Sequence, residues 1–86
     1  MDPVRRRFGD NLRDARKKVG ISQEELSTRA GLHRTAVSLH ERGEREPRIL
    51  TVIKLAHGLG IEPNDLCEGI RWLPDPKRFK QFEAED

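Results

Sequence analysis

Five side chains within residues 33–42 bring together the groups that recognise a polyanion. At about 100° per residue, as in a helix, Arg34, Thr35, Ser38, Leu39 and Arg42 fall on one side and Ala36, Val37 and His40 on the other. Residues 21–48 carry five acids and five bases, yet no acid falls on the arginine side. Glu24 and Glu25 lie upstream, Glu41 flanks the apolar side, and Glu44 and Glu46 follow the segment. A surface that binds phosphates needs its cations clear of carboxylates, which this arrangement provides. An ordinary solvated helix face carries the same residue types, and the pattern by itself leaves both readings open.

Other chemistries find no matching residues. There is no nucleophile–base pairing, paired-carboxylate motif or glycine loop for phosphate, so an enzyme is not expected. Cys67 is the single cysteine, which excludes an internal disulfide and fits a reducing compartment. His33, His40 and His57 are spaced too widely to complete a metal set with it, so neither metal nor cofactor is implied. Cys67 reads as a small buried apolar residue. The chain has 86 residues, with 37% charged and 34% hydrophobic, the profile of one small domain. No run approaches the ~18 apolar residues of a membrane span, and Met1-Asp2-Pro3 does not open a signal peptide. The location expected is the cytoplasm. With no Tyr and one Trp, there is little material for an aromatic pocket or a base-stacking platform.

The net charge of +2 conceals a gradient. Residues 1–20 hold seven bases against three acids, whereas residues 49–86 hold five against seven. Twelve of the 17 cations are Arg, the side chain suited to bidentate recognition of phosphate and guanine.

The elements that must position this face are helical. Phe8, Leu12, Ala15 and Val19 recur at helical intervals and Gly20 ends the run. Ser22-Gln23-Glu24-Glu25 is an S-x-x-E capping box that starts a second helix, with Leu26 and Ala30 inward and Gly31 at its end. A third helix spans about residues 33–42, and Gly43 stops it. Pro47 bars continuation through Glu44-Arg45-Glu46. In the fourth helix Ile49, Val52, Ile53, Ala56 and Leu59 form the expected inward stripe, with Leu50 off it. Pro63 opens a short fifth helix containing Leu66. No stretch alternates with period two, so the class expected is all-α with five helices. Arg5-Arg6-Arg7 opposes the dipole at the start of the first helix and is read as solvated, with DNA phosphate the alternative. Helices two and three, separated only by Gly31 and Leu32, cannot bury each other alone, so the other three complete the core. A helix so presented fits the major groove of DNA, roughly 12 Å wide.

Ser22-Gln23-Glu24-Glu25-Leu26, Ala30-Gly31-Leu32-His33-Arg34-Thr35, Val37-Ser38 and Glu41-Arg42-Gly43-Glu44-Arg45 with Pro47 resemble the Cro/cI-type (XRE) helix-turn-helix family of phage and bacterial repressors. Ile49, Val52, Leu55-Ala56, Leu59-Gly60-Ile61, Pro63 and Asp65-Leu66 continue the resemblance, which covers about residues 8–69. It implies a five-helix phage-repressor-like domain over residues 1–69, with residues 70–86 as a short aromatic C-terminal extension. It further implies that Gln23 bonds a backbone phosphate and braces the recognition helix. Arg34, Thr35, Ser38 and Leu39 take base-reading positions, Arg34 toward guanine and Leu39 toward a thymine methyl. Arg42, Arg45 and Arg48 become phosphate contacts, and Arg16 pairs with Glu41 as a structural ion pair. The sequence departs from the family at His40, where a bulky apolar residue is usual, and at His33, where Ser, Thr or Asp would cap helix three. His40 is expected to be packed and hydrogen-bonded, with a pH-sensitive element as the alternative; His33 either caps poorly or reaches a phosphate.

The function expected is a sequence-specific regulator of transcription, most simply a repressor, bound to double-stranded DNA in the cytoplasm at the nucleoid. The alternative is a protein-interaction module of the same fold, such as an antitoxin or accessory subunit, with a protein partner. One recognition helix reads too few bases to select an operator, so a homodimer is expected. Leu50, Ile70, Trp72 and Leu73 are the interface candidates; cover of Leu50 within one chain is the competing arrangement.

Overall fold

The computed structural model describes residues 2–72 and 82–84. Among them lie α1 (Pro3–Val19), α2 (Gln23–Ala30), α3 (Arg34–Glu41), α4 (Ile49–Leu59) and α5 (Pro63–Leu66). Helix α1 begins earlier than its apolar periodicity indicates, because Asp2 Oδ1 accepts the Val4 N–H at 2.8 Å and Pro3 occupies the first helical position. That carboxylate offsets the unfavourable arginines of the first turns. Ser22 Oγ caps α2 by accepting the Glu25 N–H at 3.0 Å. Gly31, at φ 69°, ends α2 in the left-handed region, which a side chain reaches only at a cost. The turn is therefore only three residues long, Gly31 to His33, and holds α2 close against α3.

Helix α2 packs chiefly on α4 and α3, and α3 packs on α1. Leu12, Leu26, Val37, Leu55 and Leu66 have no exposed surface, each contributing about 1.5–3 kcal/mol by leaving water. Phe8, Ala30, Ala56 and Leu59 complete this core. One inward stripe needs correction. Ile49 and Ile53, expected inside, are 80% and 47% exposed, whereas Leu55 is fully buried. The four-residue spacing of Ile49 and Ile53 runs into Ala56 and reads as one band, but the band is too wide for a single helix to bury. The core takes the half centred on Leu55 and leaves Ile49 and Ile53 beside Leu50, itself 56% exposed.

Residues beyond α5 hold a feature without a sequence signal. β1 (Ile70–Trp72) pairs antiparallel with β2 (Phe82–Ala84), Ile70 opposite Ala84, and the pair lies against α1. Three residues are too few for alternation to register. Arg7 Nε donates to the Glu68 carbonyl at 3.1 Å, and Asn11 Nδ2 donates to the carbonyls of Leu66 and Glu68 at 3.0 and 2.8 Å. Arg7 is thus spent inside the chain, neither simply solvated nor free for phosphate. Ile70 is half-buried against the domain's own core. Leu73, Phe79 and the side chains of Trp72 and Phe82 lie outside the described residues.

Helices α1 and α3 approach closely at Gly9. A Cβ there would lie 2.5 Å from the carbonyl oxygen of His40 and 2.7 Å from that of Glu41. In an exposed helix Gly→Ala stabilises by about 1 kcal/mol. Gly9→Ala is instead expected to destabilise by about 1–3 kcal/mol, since α1 must retreat from α3, read as a lower denaturant midpoint.

Candidate nucleic-acid interface

The outward side of α3 is built by burying the other side. Val37 is fully buried and His40 is 3% exposed, which turns Arg34 and Thr35 out to solvent and leaves Ser38 and Leu39 half-buried at the edge of the same side. His33 precedes α3 in extended conformation and its side chain makes no capping bond; it is exposed. Arg42, Arg45 and Arg48 are exposed along the connection to α4. Arg42 Nε lies 2.8 Å from Glu44 Oε2, an exposed pair of small energetic weight. Arg34, Arg45 and Arg48 have no carboxylate partner among the described residues.

Glu41, the single acid of α3, is 4% exposed and faces inward. Its Oε2 lies 2.5 Å from Arg16 Nε, and its Oε1 accepts from Arg16 Nη2 at 3.0 Å and from Gln23 Nε2 at 3.1 Å. Arg16 Nη1 also donates to the Ile21 carbonyl at 2.9 Å. One carboxylate therefore joins α1, the first residue of α2 and the last residue of α3. Its bond to Arg16 also raises the already high pKa of that guanidinium. Because this acid is compensated within the fold, the solvent side of α3 carries only positive and neutral groups. Gln23 is committed to the brace through its amide nitrogen.

The family model for helix-turn-helix, HTH_3, matches residues 12–66. The chain belongs to the helix-turn-helix family. A helix-turn-helix relative, the uncharacterized HTH-type transcriptional regulator y4dJ of Sinorhizobium fredii, is 35% identical over 63 residues, covering 73% of this chain and 82% of its own. Control protein C.BamHI of Bacillus amyloliquefaciens is 38% identical over 66 residues, 76% of this chain and 82% of its own. Among solved structures, the restriction-modification controller protein C.AhdI from Aeromonas hydrophila superposes with a TM-score of 0.71 at 42% identity, covering 72% of this chain and 94% of that one. The matched region of this helix-turn-helix chain contains both α2 and α3 and the whole Arg16–Glu41–Gln23 network.

Three contributors to the region escaped sequence reasoning. Gly9 sets how closely α3 approaches α1, and its only sequence mark is a glycine inside a helical run. Asn11 and Arg7 fasten residues 66–68 through backbone carbonyls, which leave no trace in side-chain patterning. Cys67 is half-buried rather than fully so, and burial pushes its thiol pKa up, which disfavours the reactive thiolate.

His40 Nδ1 lies 3.2 Å from the Arg45 carbonyl, and the ring meets Phe8 edge-on, with centroids 6.3 Å apart and planes at 78°. Burial holds its pKa below the ordinary histidine value; the bond to the Arg45 carbonyl opposes that shift and the Arg45 charge reinforces it. The unfolded chain therefore binds a proton that the folded chain resists, and stability falls as pH drops through the unfolded value of about 6.5. Urea midpoints measured at about pH 7.5 and about pH 5.5 should fall on acidification, and fall less in His40→Asn.

Proposed function

We propose that this helix-turn-helix protein is a sequence-specific regulator of transcription that places residues 33–42 in the major groove of double-stranded DNA. The observation that carries the proposal is the disposal of charge on α3: its one acid is buried against Arg16, while Arg34 and Thr35 face solvent. A helix face free of carboxylate lowers the cost of approaching phosphates, and Arg34 near the start of α3 suits bidentate contact with guanine O6 and N7. Thr35, Ser38 and Leu39 supply the neighbouring base contacts. His33, Gln23, Arg42, Arg45 and Arg48 take phosphates on either side, Arg42 by exchanging Glu44 for the DNA. The protein acts as a regulator and not as an enzyme. No helix among the described residues is long and apolar enough to cross a membrane, and the site of action proposed is the cytoplasmic nucleoid.

The second copy needed for operator selection is proposed to sit on α4. Ile49, Leu50 and Ile53 form a contiguous exposed apolar surface, of the kind that marks a protein interface. Leu50 keeps its assigned role, with Ile49 and Ile53 added. Ile70 serves its own core instead, and Trp72 and Leu73 stay as candidates by position in the chain alone. Likeness to C.BamHI and to C.AhdI at 38% and 42% identity favours, within this class, a controller of a restriction–modification operon. Flanking genes for a nuclease and a methyltransferase would support that role, and flanking toxin genes would replace it with an antitoxin. A module that binds only protein predicts no shift of any duplex in a gel.

Arg34→Ala should remove about 1–3 kcal/mol of specific binding and relax the preference at one base pair per half-site, read by selection from random duplexes. Arg48→Ala should weaken binding on all sequences and lower the slope of log K against log salt by about one. An unchanged site preference in Arg34→Ala removes α3's outward face from the reading. Leu50→Glu should shift sedimentation at micromolar concentration from dimer to monomer with the helical signal intact, and an unchanged dimer places the interface elsewhere.

A further inference from the structure

We infer that His40 is a positioning residue for DNA binding, holding the arginine-bearing connection between α3 and α4 in the shape that meets phosphate. The inference rests on the DNA reading above and adds a residue that faces away from DNA. Backbone bonds organise only the beginning of this connection. Gly43, at φ 71°, donates its N–H to the His40 carbonyl at 3.1 Å, and the Glu44 N–H reaches the Leu39 carbonyl at 3.0 Å. Past Glu44, among the described residues, the next backbone bond is from the Val52 N–H to the Arg48 carbonyl, already inside α4. The intervening stretch carries Arg45 and Arg48, both exposed.

What ties it down is one side-chain bond. A carbonyl oxygen only accepts, so the contact from His40 Nδ1 to the Arg45 carbonyl requires the proton on Nδ1. The ring that donates it is well anchored: it is buried, it meets the edge of Phe8, and the carbonyl of His40 itself abuts Gly9. The close packing of α1 on α3 is thereby extended to a connection that, among the described residues, makes no other hydrogen bond between Glu44 and Arg48. A bulky apolar side chain at this position would fill the same volume and hold nothing. A connection released from that bond must be ordered at the moment of binding, which lowers affinity without touching base preference.

The experiment compares His40→Leu, which keeps apolar volume without a donor, with His40→Asn, whose Nδ2 occupies the place of Nδ1. Binding is measured across a salt series on the site selected by the wild-type protein and on a random-sequence duplex. His40→Leu should lose roughly fivefold in affinity on both duplexes, one hydrogen bond's worth, with the salt slope lowered by about one and the selected site unchanged. His40→Asn should restore affinity and slope. A His40→Leu protein with wild-type affinity and slope, an Asn variant no better than Leu, or an altered base preference overturns the inference. Arg45→Ala and Arg48→Ala separate the two levels: if they lower the slope and His40→Leu does not, the role of His40 falls and the DNA reading stands. If the wild-type protein shifts neither duplex, both fall. Should His40→Leu not fold, long-range proton–nitrogen NMR on the wild-type chain decides, since the Nδ1–H tautomer is required and an Nε2–H tautomer overturns the inference.

Discussion

The carboxylate of Glu41 is the constraint on which the rest of the molecule turns. It is buried, and a buried charge is tolerated only with its partners in place. Arg16 and Gln23 supply them from α1 and α2. Removing Arg16 leaves an uncompensated ion between three helices, so the relative placement of those helices is set by electrostatics as well as by apolar packing. The same arrangement separates two roles that charge plays in this small chain. The acid and one arginine are consumed in the interior, while Arg34, Arg45 and Arg48 face solvent with no carboxylate partner among the described residues. A net charge of +2 gives no hint of this division, because it counts the buried pair and the exposed cations alike.

The helices and their order were legible because each carries a local signal. Ser22 with Glu25, the stop glycines and the 3.6-residue spacing of Phe8, Leu12, Ala15 and Val19 are all read within one or two turns. The exposed side of α3 was legible for the same reason, since Val37 and His40 fix its rotation. What could not be read depends on separations longer than a turn. Ile49 and Ile53 were assigned inward because a helix wheel shows an apolar arc, and only the arrival of α2 decides which half of that arc is covered. The pairing of Ile70–Trp72 with Phe82–Ala84 brings together stretches too short to show a pattern. Gly9 and Asn11 act on backbone carbonyls of distant residues, and a carbonyl is present at every position.

Apolar surface on α4 and charge on α3 stand in different relations to stability. Ile49, Leu50 and Ile53 remain wetted in a single chain, so they add nothing to the monomer's core and gain only when covered. The core beneath them is complete without them, centred on Leu55, Leu26 and Leu12. The monomer's core is thus complete without this face, and the proposed association on α4 is a step separate from folding.

The side chains of Arg34, Thr35 and Ser38 make no hydrogen bond within the chain among the described residues. The scaffold is thus indifferent to what occupies these positions, provided the residue tolerates a helix. Such a surface can be rewritten one position at a time without passing through an unfolded ancestor. A protein so built can follow a drifting operator, or acquire a new one, while Glu41, Gly9 and the buried leucines keep the frame unchanged.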